Sequence, residues 1–221
     1  MKDFLIHCIG DSHVSVFSGT NKISEGYPSV HDVLPCFKTY RIGPHLAYNI
    51  GDETHVGYRH LMSVLAGIPA GSNVLLSFGE IDCRNHLMRQ VDLQKRSIED
   101  LSKECAERYF RTVKRVAEMG YKIFVWAAIP TYNYDSFVYE ENEPYKHYGS
   151  YVDRNKATSL FNGCLKDLCL RVPGVTFLSI EEYLLDKDLR TIESLYMDPI
   201  HLSERAIPVI MGELEKIEIL L

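Results

Sequence analysis

Long apolar runs are missing from this chain of 221 residues. The longest clean one, Ile123 to Ile129, falls far short of the roughly 20 residues that a membrane-spanning helix needs. Basic charge is also scarce: 24 Lys and Arg stand against 30 Asp and Glu, a formal net charge of −6. A nucleic-acid partner requires a basic face that displaces counterions, so none is expected, and the acidic balance reads as solubility. Cysteine is thin, six residues with no CxxC pair and no Cys/His cluster at zinc spacing. That excludes a disulfide scaffold and leaves structural zinc without support. Neither G-x-G-x-x-G nor a P-loop occurs, and no cofactor is expected. The start, MKDFLIHCIGDSH, carries one lysine and an apolar stretch broken by His7, too short and polar for a secretory signal. The expectation is a soluble, cytoplasmic protein with free thiols and no membrane attachment.

What is present is ordinary globular material, 46% apolar and 24% charged, which suits one domain over 1–221. Five apolar stretches read as strands: Phe4 to Ile9, Cys36 to Ile42, Asn73 to Phe78, Tyr121 to Ile129 and Val175 to Ile180. Their continuity marks strands buried on both faces, as in a parallel sheet covered by helices. Helical spacing runs over His45 to Ala66 with a break near Gly51, Lys95 to Met119 ending at Gly120, Asp153 to Leu170, and Ser203 to Leu220. The alternation predicts an α/β protein, a three-layer α/β/α sandwich around a five-stranded parallel sheet of flavodoxin-like type.

One segment departs from the pattern. Pro130 to Tyr151 holds six tyrosines without a period. It follows the fourth predicted strand, on the edge where open α/β sheets bind ligands, and reads either as a lid or substrate wall or as a loop whose tyrosines fasten it to the body or form a protein contact.

Two short motifs at opposite ends carry the chemistry. Gly10-Asp11-Ser12-His13 leaves the first strand, and Asp198-Pro199-Ile200-His201 precedes the last helix. Ser12 so placed stands near backbone N–H groups that can stabilise an oxyanion. A serine hydroxyl needs a base, and a three-residue separation lets Asp198 reach the His201 imidazole and set its tautomer. The chain order and the missing G-x-S-x-G separate this from the usual hydrolase elbow. His13, beside the nucleophile, reads either as lining the pocket or as a capping or solvent-facing residue, His7 as a core histidine, and Cys83 as an inert buried thiol.

These two motifs resemble the first block and the D-x-x-H last block of the SGNH/GDSL hydrolase superfamily. The resemblance implies a five-stranded parallel sheet, a Ser12–His201–Asp198 triad and an oxyanion donor from Gly43, with Gly51 the lesser candidate. The third block is a variant, with Gly79-Glu80-Ile81-Asp82 in place of G-x-N-D. Gly79, Asp82 and Arg84 are the neighbouring oxyanion or substrate-binding candidates. Ile81 stands where the family has its oxyanion asparagine, a donor whose loss typically costs 100-fold or more, roughly 3 kcal/mol. Arg84 offers a cationic replacement or a clamp for a substrate carboxylate or phosphate, or alternatively pairs with Glu80 or Asp82. The implied activity is hydrolysis of a small-molecule or carbohydrate ester, with O-deacetylation of a sugar preferred because tyrosines suit sugar faces. Acyl transfer by the same triad, or a non-catalytic carbohydrate-binding or assembly module with a decayed oxyanion hole, are the alternatives; the oligomeric state is not legible.

Overall fold

The computed structural model describes residues 5–133 and 148–218. Among the described residues six strands form one sheet: β1 (Ile6–Gly10), β2 (Ser29–His31), β3 (Phe37–Arg41), β4 (Asn73–Ser77), β5 (Lys122–Trp126) and β6 (Val175–Leu178). Their order is β2-β3-β1-β4-β5-β6, and all neighbours are parallel except β2 against β3. The five parallel strands are those read from the sequence; the sixth corrects the count. β2 is three residues long, half exposed, with Val30 its lone apolar residue, so it carries no hydrophobic pattern to announce it.

Alternation along each strand sends side chains to two separate cores. Ile9, Val74, Leu76, Ile123 and Val125 pack on one face; Cys8, Leu75, Phe124 and Trp126 pack on the other. The first face is covered by α1 (Ala47–Ile50), α2 (Val56–Leu65), α3 (Leu87–Gln94), α4 (Ile98–Glu118) and α5 (Tyr151–Cys169); the second by α6 (Ile207–Glu218) and the 3-10 turn Ser12–Ser18. Helix α4 buries Leu101, Cys105, Tyr109, Val113 and Val116 at helical spacing and starts at Ser97, whose side chain accepts from Asp100 N at 3.1 Å. Helix α5 opens on a capping box in which Ser150 and Asp153 satisfy each other's backbone N–H.

The π-helical turn Asp82–His86 and α3 lie in a stretch that the sequence leaves unassigned. Only Leu87 of α3 is buried, so its polar face hides the period. All six cysteines are free. No helix among the described residues is long and apolar enough to cross a membrane.

The parallel arrangement puts Ser12 after β1, Gly43 after β3, Gly79 after β4 and Pro130 after β5 on the same carboxyl edge of the sheet.

Candidate active site

The turn bearing Ser12 is shaped by two neighbours. A Cβ on Gly10 would lie 2.4 Å from the Ser77 carbonyl oxygen, so only glycine lets β1 leave this close to β4. Asp11 N then donates to Ser77 O at 3.3 Å, and Asp11 Oδ1 caps the 3-10 turn by accepting from His13 N at 2.8 Å. Asp11 is fully buried, and that burial pushes its carboxyl up to about 6.

From the other end of the chain, Asp198 folds over its own turn. Its Oδ1 accepts from Ile200 N and His201 N, both at 2.8 Å. The His201 ring places Nδ1 2.9 Å from Asp198 Oδ2 and Nε2 2.9 Å from Ser12 Oγ. Burial works against the Asp198 carboxylate, but His201 and the two backbone N–H groups hold it below the usual range. An ionised carboxylate only accepts, so Nδ1 carries the ring proton and Nε2 is left to accept from Ser12. Burial pulls His201 below its ordinary value, against the opposing pull of Asp198.

His13, for which the sequence leaves both a pocket-lining and a capping or solvent-facing reading open, is buried against His201. Its Nε2 stands 2.6 Å from Glu80 Oε2, and its ring stacks on His201 with centroids 4.8 Å apart. Glu80 is held on its other side by Arg84, whose Nε donates to Oε1 at 2.6 Å. Of the readings of Arg84, the structure shows the ion pair with Glu80.

Asp82 makes its hydrogen bonds to another element. Its Oδ2 accepts from Ala47 N at 2.7 Å and its Oδ1 from Tyr48 N at 3.1 Å, so the carboxylate caps α1. The cause is geometric: the first turn of α1 presents two N–H groups needing an acceptor, and Asp82 enters its π turn beside them. Burial pushes the Asp82 carboxyl up to about 7 in spite of these donors.

Gly43 and Gly79 have φ of +120° and +117°, a region closed to side chains in practice; at Gly79 a Cβ would also meet the Phe161 ring at 2.5 Å. Gly51 lies elsewhere, at the end of α1 against the Arg108 carbonyl. Ile81 is buried among the core residues.

The segment after β5 is fastened by polar side chains that the sequence reading passed over. Asn162 accepts from Ala128 N and donates to Ala128 O, both at 2.9 Å, and Asn155 Oδ1 accepts from Thr131 N at 2.8 Å. Tyr196 OH donates to Pro130 O at 2.7 Å, and the Tyr132 ring meets Tyr196 edge-on. A buried asparagine in the middle of a helix is the signal that would have found the first two. Most of the tyrosine-rich loop, including Tyr134, Tyr139 and Tyr145, lies outside the described residues.

His7 meets Tyr40 OH from Nδ1 at 3.1 Å, and burial pushes the Cys83 thiol well up, leaving it a poor nucleophile. Among the described residues no cluster of His, Cys, Asp or Glu is arranged to hold a metal ion.

No protein-family model matches the sequence, and no curated protein matches it. Solved structures do match in fold. The M. smegmatis aryl esterase superposes with a TM-score of 0.55 at 17% identity, over 98% of this chain and 99% of that one. A GDSL-like lipase from Bacteroides thetaiotaomicron gives 0.54 at 10% identity, over 100% and 90%. An acetyl xylan esterase gives 0.52 at 12% identity, over 96% and 98%. The chain therefore shares the fold of these two esterases and of the GDSL-like lipase.

Proposed function

We propose that this chain is a serine ester hydrolase of the SGNH/GDSL type. The observation that carries the reading is the relay Ser12 Oγ–His201 Nε2–His201 Nδ1–Asp198, with each link at 2.9 Å. In that reading Ser12 attacks the ester carbonyl while His201 takes its proton. Asp198 holds the ring in the required tautomer and stabilises the imidazolium, and His201 returns the proton to the leaving alcohol. Water then repeats the cycle on the acyl-enzyme. The tetrahedral oxyanion is held by the backbone N–H groups of Ser12 and Gly43. Glycine at 43 is required by its φ of +120°, which turns the chain sharply after β3.

The preferred substrate is a small O-acyl ester, and within that class an O-acetylated sugar. The half-buried Tyr132 in the segment after β5 favours it, as does the same fold in an acetyl xylan esterase. The test is turnover of p-nitrophenyl acetate and of O-acetylated sugars by the wild type and by Ser12→Ala. Loss of both activities in a folded variant supports the assignment, whereas unchanged turnover removes it. Repeating the assay with free sugar acceptors and measuring acylated product separates hydrolysis from acyl transfer.

A further inference from the structure

The proposed chemistry leaves one buried pair without a task. His13 and Glu80 meet at 2.6 Å with side chains only 4% and 3% exposed. Burying an imidazole and a carboxylate is costly, and an apolar residue at position 13 would fill the same space without that cost. The pair also has a direction. The chain fixes His13 beside the nucleophile, Asp11 holds its backbone N–H, and its ring lies over His201 with the planes inclined by 27°.

We propose that His13 is a positioning residue for the general base: clamped by Glu80, it presents a positive charge to the face of His201 and keeps that ring in its neutral, proton-accepting form. The inference rests on the assignment of His201 as base.

Four groups face His13, each from a different part of the fold. Glu80 comes from the turn after β4, Asp11 from the residue before Ser12, Arg84 from the π turn, and His201 from the loop before α6. Burial alone would pull His13 down, but Glu80 and Asp11 outweigh it together with the opposing Arg84, so the ring is raised above its ordinary value. Glu80 suits this role because Arg84 and His13 overcome its burial and hold it ionised. At His201 the balance reverses. Burial and the His13 charge lower it, while Asp198 and Glu80 pull the other way. Two imidazoles in contact thus divide the work, one holding a proton and the other ready to take one.

The consequence for an esterase is a base available at lower pH than Asp198 alone would allow. The charge on His13 also disfavours the His201 imidazolium, which speeds return of the proton to the leaving group. His13→Gln keeps a donor toward Glu80 and removes the charge.

The experiment is an NMR pH titration of ring-labelled histidines in the wild type and in His13→Gln, beside the pH profile of kcat/KM with p-nitrophenyl acetate. In the wild type His13 is expected to keep its proton after His201 has lost its own. In the variant the His201 midpoint should rise by roughly one pH unit, and the acid limb of the profile should follow it. An unmoved His201 midpoint overturns the proposal. So does a wild-type protein in which His13 is neutral while His201 is still protonated, a result that needs no variant to fold. The two readings fail separately: a shifted midpoint without esterase activity removes the base assignment, and an active enzyme with an unshifted midpoint removes the role of His13.

Discussion

Ser12 Oγ and His201 Nε2 lie 2.9 Å apart across 189 positions of sequence. The serine is placed across the sheet and the histidine by its own turn. The glycine-tight exit of β1 sets the serine, and the Asp198 carboxylate, folded onto the N–H groups of residues 200 and 201, sets the histidine.

A fluorophosphonate probe reports this contact directly. The wild type should label at Ser12, and His201→Ala should lose labelling by about 1,000-fold or more while unfolding at the same temperature. Labelling that persists in the variant would mean that Ser12 is not activated by His201.

Because burial lowers His201, its neutral form prevails at pH values below the ordinary histidine midpoint. Activity should be lost as pH falls through that lowered value, and the acid limb of kcat/KM should sit below the usual 6.5 of a free imidazole. Asp198→Asn should cut kcat by roughly 100- to 10,000-fold, since the ring then loses the acceptor that fixes its tautomer. An acid limb at or above the free-imidazole value would contradict the burial seen here.

Gly79→Ala is expected to destabilise the fold. A φ of +117° strains any side chain, by about 1–3 kcal/mol, and the new methyl would meet Phe161 at 2.5 Å. Urea unfolding measures the loss, and a stability equal to wild type would show that the turn relaxes at no cost.

Asn162→Ala should cost about 1–3 kcal/mol for the buried groups it abandons, because both the N–H and the carbonyl of Ala128 lose their partner. Thermal unfolding would register it. Replacement by Leu, similar in size but without the amide, should recover little.

The fold is largely legible because the five parallel strands are rich in apolar residues and four of them run into Gly or Pro, at Gly10, Gly43, Gly79 and Pro130. What escaped notice has a common cause. β2 has one apolar residue, and α3 buries only Leu87, so neither carries a period. Within the site, the residue types at 12, 198 and 201 announce themselves by motif. Partner choice does not: Arg84 pairs with Glu80 four residues earlier, while Asp82 reaches back to α1, and only the π turn decides which carboxylate faces which donor. His13 is the sharpest case. A histidine after a nucleophile suits a pocket wall and a surface cap equally by residue type, and only Glu80, far along the chain, arrives to bury it.

The link from Asp82 to Ala47 and Tyr48 joins the loop after β4 to the segment after β3. One carboxylate therefore acts as a rivet between the segments that follow the Gly43 and Gly79 turns. Asp82→Ala would leave the first two N–H groups of α1 without their acceptor, so a fault introduced at position 82 begins in the frame that carries the strand ends and not in the Ser12–His201 relay.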